Sequence, residues 1–168
     1  ILEGGEPFLW RDGDHALRDI VSEAKKLFFS VGVTTNGTWP IDVPSDNVWV
    51  SIDGLPETHD RIRGRTFARV MSNIEASHHP NISAHVTIHA LNWRELRALV
   101  ELLAPKVRGV TVQFHYAYDE LDATLELPFA ERRQVLDELI RLKREGLPLA
   151  NSYACLEALE QNHWRCHP

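Results

Sequence analysis

Cysteine, positive charge and long apolar runs are what this sequence has little of. Two cysteines, Cys155 and Cys166, occur in 168 residues and both lie near the end, so no disulfide framework holds the chain. In an intracellular protein such a pair suggests metal binding or no special role. No apolar stretch approaches membrane-spanning length, and no basic-then-apolar segment opens the chain as a secretory signal would, which makes the cytoplasm the expected location. The formal net charge of -6 and a pI near 5.8 argue against nucleic acid or a bare anionic membrane as the main partner. Neither a Gly-x-Ser-x-Gly elbow nor a P-loop is present, which disfavours an α/β-hydrolase-like or sugar enzyme.

What is present suffices for one core. A chain of this length with 43% hydrophobic residues buries a single respectable interior. The first residue is Ile1 rather than methionine, and Ile1-Leu2-Glu3-Gly4-Gly5-Glu6-Pro7 reads as a strand caught at its C-terminal end. At the other end Trp164-Arg165-Cys166-His167-Pro168 stops in mid-pattern. Both edges read as cut, and the chain reads as an excerpt.

Between these edges strands alternate with helices. Apolar residues at 17, 20, 21, 24, 27 and 28 form a helical stripe, with Asp14 as the expected N-cap. Phe29 to Thr35 is a strand ending in Asn36-Gly37, and the stretch from Thr38 to Asp46, with Pro40 and Pro44, is too proline-rich for a full helix. Strands are expected at Val48–Ile52, Ile82–Ile88 and Val107–Phe114, and helices at Phe67–Ala76, Arg94–Leu103 and Phe129–Glu145, the last stopped by Gly146. Short connections between alternating elements imply parallel strands with crossover helices.

The polar residues gather at strand C-termini, where such folds bind ligands. Gly4-Gly5-Glu6, Thr35-Asn36-Gly37, Ser51 with Asp53, His89 with Asn92, and Gln113 with His115 all fall there. The stretch Val48-Trp49-Val50-Ser51-Ile52-Asp53-Gly54 stands out as a buried strand closing on a site. Ser51 and Asp53 share a face by the two-residue period, and the charged loop behind them brings Arg61 and Arg63 over the same mouth. His115 and Tyr116, with Gln113, mark the side where substrate enters. His78, His79, His85 and His89 read as surface or packed histidines rather than a metal cluster, and Trp10, Trp39 and Trp93 as anchors under loops.

Gly4-Gly5-Glu6-Pro7, then Thr34-Thr35-Asn36-Gly37-Thr38, then Val50-Ser51-Ile52-Asp53-Gly54 with His59-Asp60 and Arg63-Gly64, in this order and spacing, resemble the core of a radical S-adenosylmethionine (SAM) enzyme. The likeness runs from Ile1 to Tyr118. It implies a partial (β/α)6 TIM-like barrel with a parallel sheet, of which this chain holds strands two to six over residues 1–148, with a C-terminal extension opening over 149–168. SAM contacts are implied at Gly4, Gly5, Glu6, Asn36, Ser51, Asp53 and Arg63. The Gly-Gly-Glu segment receives the methionine amino group, Ser51 and Arg63 resemble the pair that holds the carboxylate and ribose, and Asp53 orders their loop. Such enzymes reduce SAM to a 5′-deoxyadenosyl radical with a [4Fe-4S] cluster held on a CxxxCxxC loop, fed by a flavodoxin or ferredoxin, and act on small molecules or peptides.

The departure from the pattern is that CxxxCxxC is absent. The motif is expected upstream of Ile1, and this segment by itself is expected to be inactive. Cys166 resembles the first ligand of an auxiliary cluster in a SPASM- or twitch-like extension, while Cys155 also reads as a small core residue on a helix from Tyr153 to Leu159. The rival reading is a degenerate barrel without a cluster, serving as a ligand- or peptide-binding module.

Overall fold

The computed structural model describes residues 1–120 and 122–161. Leu2 makes a parallel bridge to Val33, and a 3-10 turn over Pro7–Leu9 leads into a two-stranded antiparallel hairpin, β1 (Arg11–Asp12) and β2 (His15–Ala16). Next come helix α1 (Leu17–Leu27), strands β3 (Gly32–Thr35) and β4 (Asn47–Ser51), and helices α2 (Pro56–Arg63) and α3 (Phe67–Ala76). Strand β5 (Ile82–Ile88), α4 (Leu96–Leu103), β6 (Gly109–Phe114), α5 (Phe129–Arg144) and α6 (Tyr153–Gln161) complete the order. The four long strands form one parallel sheet in chain order, β3-β4-β5-β6. A bridge from Val110 to Leu149 continues it beyond β6, as Leu2 does beyond β3. The expected α/β alternation and partial parallel barrel are therefore present. Among the described residues no helix is long and apolar enough to cross a membrane.

The register divides the sheet into two faces of opposite chemistry. Val33, Val48 and Ile82 align across the strands, as do Val50, Ala84 and Val110, and all are buried under the helices. The helices return matching stripes: Phe67, Val70, Met71 and Ile74 from α3, Leu96, Leu99, Val100 and Leu103 from α4, and Val135, Leu136, Leu139 and Leu142 from α5. Each fully buried aliphatic side chain contributes about 1.5–3 kcal/mol, so this layer carries most of the drive to fold. On the opposite face the same strands present Thr34, Trp49, Ser51, His85, Thr87, Thr111 and Gln113.

Three local expectations are corrected. The charged segment after β4 is not a loop: Pro56–Arg63 is helical, with proline in its first turn and Gly64, at φ 70, just past its end. Its one buried residue is His59, so no apolar stripe announces the helix. Asp14 does not cap α1. The cap position is Ala16, whose N–H is held by the Asp19 carboxylate at 2.8 Å. The stripe of α1 also overshoots, since Leu17 and Val21 are buried but Leu27 and Phe28 are exposed, and the strand read from Phe29 begins only at Gly32.

Candidate active-site cleft

The polar face of the sheet forms the floor of a cleft of about 590 Å3, lined by Glu3, Thr34, Trp49, Ser51, Arg63, His85, Thr87, Thr111, Gln113 and Asn151 with Ile1 and Val112. Ser51, His85 and Thr111 lie side by side across β4, β5 and β6 in one register row. Trp49 lies over Gly32, where a Cβ would come 2.3 Å from the indole Cζ3, so only glycine leaves room for the ring.

Asp53, just past β4, is the knot of the site. Its side chain is 5% exposed, and each of its hydrogen-bonding groups has a partner. Oδ2 accepts from Arg63 Nε at 2.5 Å and Oδ1 from the Thr87 N–H at 3.2 Å. The Asp53 N–H donates to His59 Nδ1 at 3.2 Å, and its carbonyl accepts from Asn92 Nδ2 at 3.1 Å. Asn92, itself fully buried, also donates to the Thr87 carbonyl and accepts from the His89 N–H, tying the ends of β4 and β5 together. Helix α2 is clamped by Glu95, which accepts from the Leu55 N–H at 2.9 Å and the Thr58 hydroxyl at 2.6 Å. Asp60 in turn caps α3, accepting from the Thr66 and Phe67 N–H groups. The result is a guanidinium on a short helix, anchored through Nε and lining the same cleft as Ser51.

The other expected residues fall into two sets. Gln113, with Ser51 and Arg63, is in the cleft. Gly4 and Gly5 form a turn at the end of the first pairing segment, with φ of 99 and 54 and no atom within 4 Å of where a Cβ would stand, so their backbone is open to approach. The Glu6 carboxylate accepts from the Thr35 hydroxyl at 2.7 Å, the Asn36 N–H at 2.8 Å and the Phe8 N–H at 3.1 Å, which locks the glycine turn to the end of β3. The Asn36 side chain closes its own turn by accepting from the Thr38 N–H and hydroxyl. His115 follows β6, and the Tyr116 ring lies 5.9 Å from the Arg132 guanidinium. Arg61 is exposed and does not line the cleft.

Thr111 and Asn151 carry no signal in the sequence, and Thr34 and Trp49 stand in the quoted stretches without being named as site residues; all four line the cleft. His85 was expected at the surface or in packing, and it lines the cleft, with Nδ1 2.9 Å from Thr111 Oγ1. Burial lowers the pKa of His59, His85 and His89 below the ordinary histidine value, against a raising influence of Asp53 in each case. His89 accepts from the Leu91 N–H through Nδ1, and its buried Nε2 has no partner among the described residues.

Metal ligands are not assembled here. Among the described residues no group of three His, Cys, Asp or Glu side chains could hold a metal ion. Cys155 packs against the core, and its sulfur lies 3.5 Å from Asn151 Nδ2. Cys166, read as a possible auxiliary cluster ligand, lies outside the described residues.

No family model matches the chain. It is similar to Fe-coproporphyrin III synthase of Methanosarcina barkeri, with 26% identity over 168 residues, covering 88% of this chain and 41% of that protein. It is also similar to the sporulation killing factor maturation protein SkfB of Bacillus subtilis, with 34% identity over 115 residues, covering 61% of this chain and 27% of that one. Among solved structures, Streptococcus suis SuiB bound to S-adenosylmethionine superposes with a TM-score of 0.63 at 15% identity, over 87% of this chain and 37% of SuiB. The chain thus spans less than half the length of each relative.

Proposed function

This chain belongs to the radical SAM superfamily, and we propose that its cleft is the SAM-binding part of such an enzyme, holding the cofactor for reductive cleavage. The observation that carries this reading is the Asp53–Arg63 pair beside Ser51. A buried carboxylate takes one edge of the guanidinium and so presents the other edge to a ligand carboxylate, while Ser51 offers a hydroxyl alongside. Gly4 and Gly5, next in the chain to the cleft-lining Glu3, offer open backbone suited to an ammonium group. Glu6 and Asn36 serve by fixing that turn. The structure of SuiB with SAM bound supports the same choice of ligand.

When bound, SAM would supply the adenosyl group for radical chemistry, and a [4Fe-4S] cluster with a flavodoxin or ferredoxin donor would have to supply the electron from outside the described residues. The described residues do not fit that cluster, since they supply no three-ligand set. What the chain's own residues do is bind, orient and shield SAM on a rigid sheet. On this reading the substrate, a small molecule or peptide, enters from the Gln113, His115 and Tyr116 side, while Leu149 and Asn151, expected in an extension, belong to the sheet edge and the cleft.

Titration of the chain with SAM tests the reading. Arg63→Ala should weaken binding about ten- to a hundredfold, the worth of a charge-assisted bond of about 1.5–3 kcal/mol, and Arg61→Ala far less. Equal and small effects of the two, with Ser51→Ala silent, would move the assignment to a binding module for some other ligand.

A further inference from the structure

We propose that Glu3 is the cation-binding residue of this cleft, taking an alkylammonium group against the Trp49 ring; the inference rests on the cleft being the ligand site. Leu2 bridges to Val33 in parallel, donating to the Gly32 carbonyl and accepting from the Thr34 N–H. The next residue, Glu3, therefore falls beside Thr34, which is itself paired with Trp49 of β4, and all three line the cleft. Strands about 4.8 Å apart set Glu3 and Trp49 about 10 Å from each other at the backbone, a span that a glutamate side chain, an ammonium group and an indole fill. Gly32 keeps the ring in place, since only its bare backbone leaves room for the indole.

The other carboxylates of the region are spent. Asp53 holds Arg63 and the Thr87 N–H, and Glu95 clamps the Leu55 N–H and the Thr58 hydroxyl. Glu6, which the resemblance puts on the methionine amino group, has Oε1 on the Thr35 hydroxyl and the Phe8 N–H and Oε2 on the Asn36 N–H, and it does not line the cleft. Glu3 lines it, and among the described residues its carboxylate has no hydrogen bond or ion pair. Its charge reaches into the cleft, where it acts on His85. The guanidinium of the cleft, Arg63, is already balanced by Asp53, so the counter-charge for Glu3 comes with the ligand. Trp49 adds the negative face of its ring, which attracts the same kind of group. A ligand bearing a carboxylate and an amine meets Arg63 with one end and Glu3 with the other. Such an amine has two sources, the amino group of SAM and an amine on the substrate.

The test uses n-butylammonium as probe, 1-butanol as its neutral control and the indole N–H signal of Trp49, assigned by its loss in Trp49→Phe, as reporter. At constant ionic strength butylammonium should move that signal saturably and butanol should not. Glu3→Gln should weaken the response about tenfold, and Glu3→Asp should restore much of it. Given that response, calorimetry with SAM assigns the source. A tenfold loss of SAM affinity in Glu3→Gln makes the amine that of SAM, and an unchanged affinity makes it that of the substrate. A Trp49 signal unmoved by butylammonium, moved equally by butanol, or moved as readily in Glu3→Gln overturns the inference. So does a loss in Glu6→Gln as large as in Glu3→Gln when circular dichroism shows Glu6→Gln folded; should Glu6→Gln not fold, the Glu3 variants decide alone. If calorimetry shows no SAM binding to the parent chain, the SAM reading fails separately, and Glu3 is still judged by butylammonium.

Discussion

Replacing Asp53 by asparagine tests the central knot of the site, because the change removes charge while keeping shape. The peptide N–H bond to His59 and the carbonyl bond from Asn92 survive, so the loop backbone stays anchored. The side chain must now serve two donors, Arg63 Nε–H and the Thr87 N–H, with only one oxygen. Whichever it keeps, the amide NH2 faces the other. The lost bond is charge-assisted, worth about 1.5–3 kcal/mol. The Arg63 side chain is 32% exposed, so water replaces part of its loss and places the expected cost near 2 kcal/mol. For a chain of this size that lowers Tm by about 4–8 °C. Asp53→Ala strips both acceptors and should cost more, by about 1–3 kcal/mol for the stranded Thr87 N–H. Urea unfolding followed by circular dichroism gives the numbers, and a double-mutant cycle with Arg63→Ala isolates the pair. An Asp53→Asn protein within about 0.5 kcal/mol of the parent, or a coupling near zero, would show that the pair is an idle surface contact.

Three further outcomes follow from the geometry. His59, His85 and His89 have folded pKa values below the ordinary one, so the unfolded chain binds protons first as pH falls. Stability should therefore be level above about pH 7 and decline below about 6.5, by up to about 1.4 kcal/mol per pH unit for each histidine, and a urea midpoint unchanged between pH 7.5 and 5.5 would refute this. Gly32→Ala should force the Trp49 ring into the cleft at a cost of about 1–3 kcal/mol, seen as a lower Tm and altered tryptophan fluorescence; unchanged fluorescence would place the ring elsewhere. The exposed apolar face of Leu9, Trp10, Leu27 and Phe28 should make the chain associate as concentration rises, and Leu27→Glu with Phe28→Glu should reduce this in sedimentation, whereas a monodisperse parent would rule it out.

Legibility in the sequence tracked whether a segment's chemistry is governed by burial. Val33, Val48, Val50, Ala84 and Val86 alternate with polar residues because one face lies under helices, and that alternation was readable. The intervening Thr34, Trp49, His85 and Thr111 line the cleft, and a sequence carries no mark to separate a cleft floor from open surface. Helix α2 escaped for a related reason: its inward residue is a histidine whose value lies in two hydrogen bonds, not in apolar area. Ser51 and Arg63 were found because they close a strand and follow it at a spacing that resembles a known core. The role of Asp53 in gripping Arg63, twelve positions from Ser51 but adjacent in space, needed the fold.

Asn151 turns the far side of the sheet into a finished border. Its amide accepts from the Val112 N–H at 2.8 Å and donates to the Val112 carbonyl at 3.0 Å, doing for one rung what a neighbouring strand would do. With Ala150 N–H on the Val110 carbonyl, β6 has its outward groups occupied at two successive rungs. Leu2 gives both its N–H and its carbonyl to β3, so by the alternation of a parallel ladder the backbone groups of Ile1 and Glu3 point the other way. The sheet is thus closed beside β6 at these two rungs by residues that follow α5 rather than by a further strand.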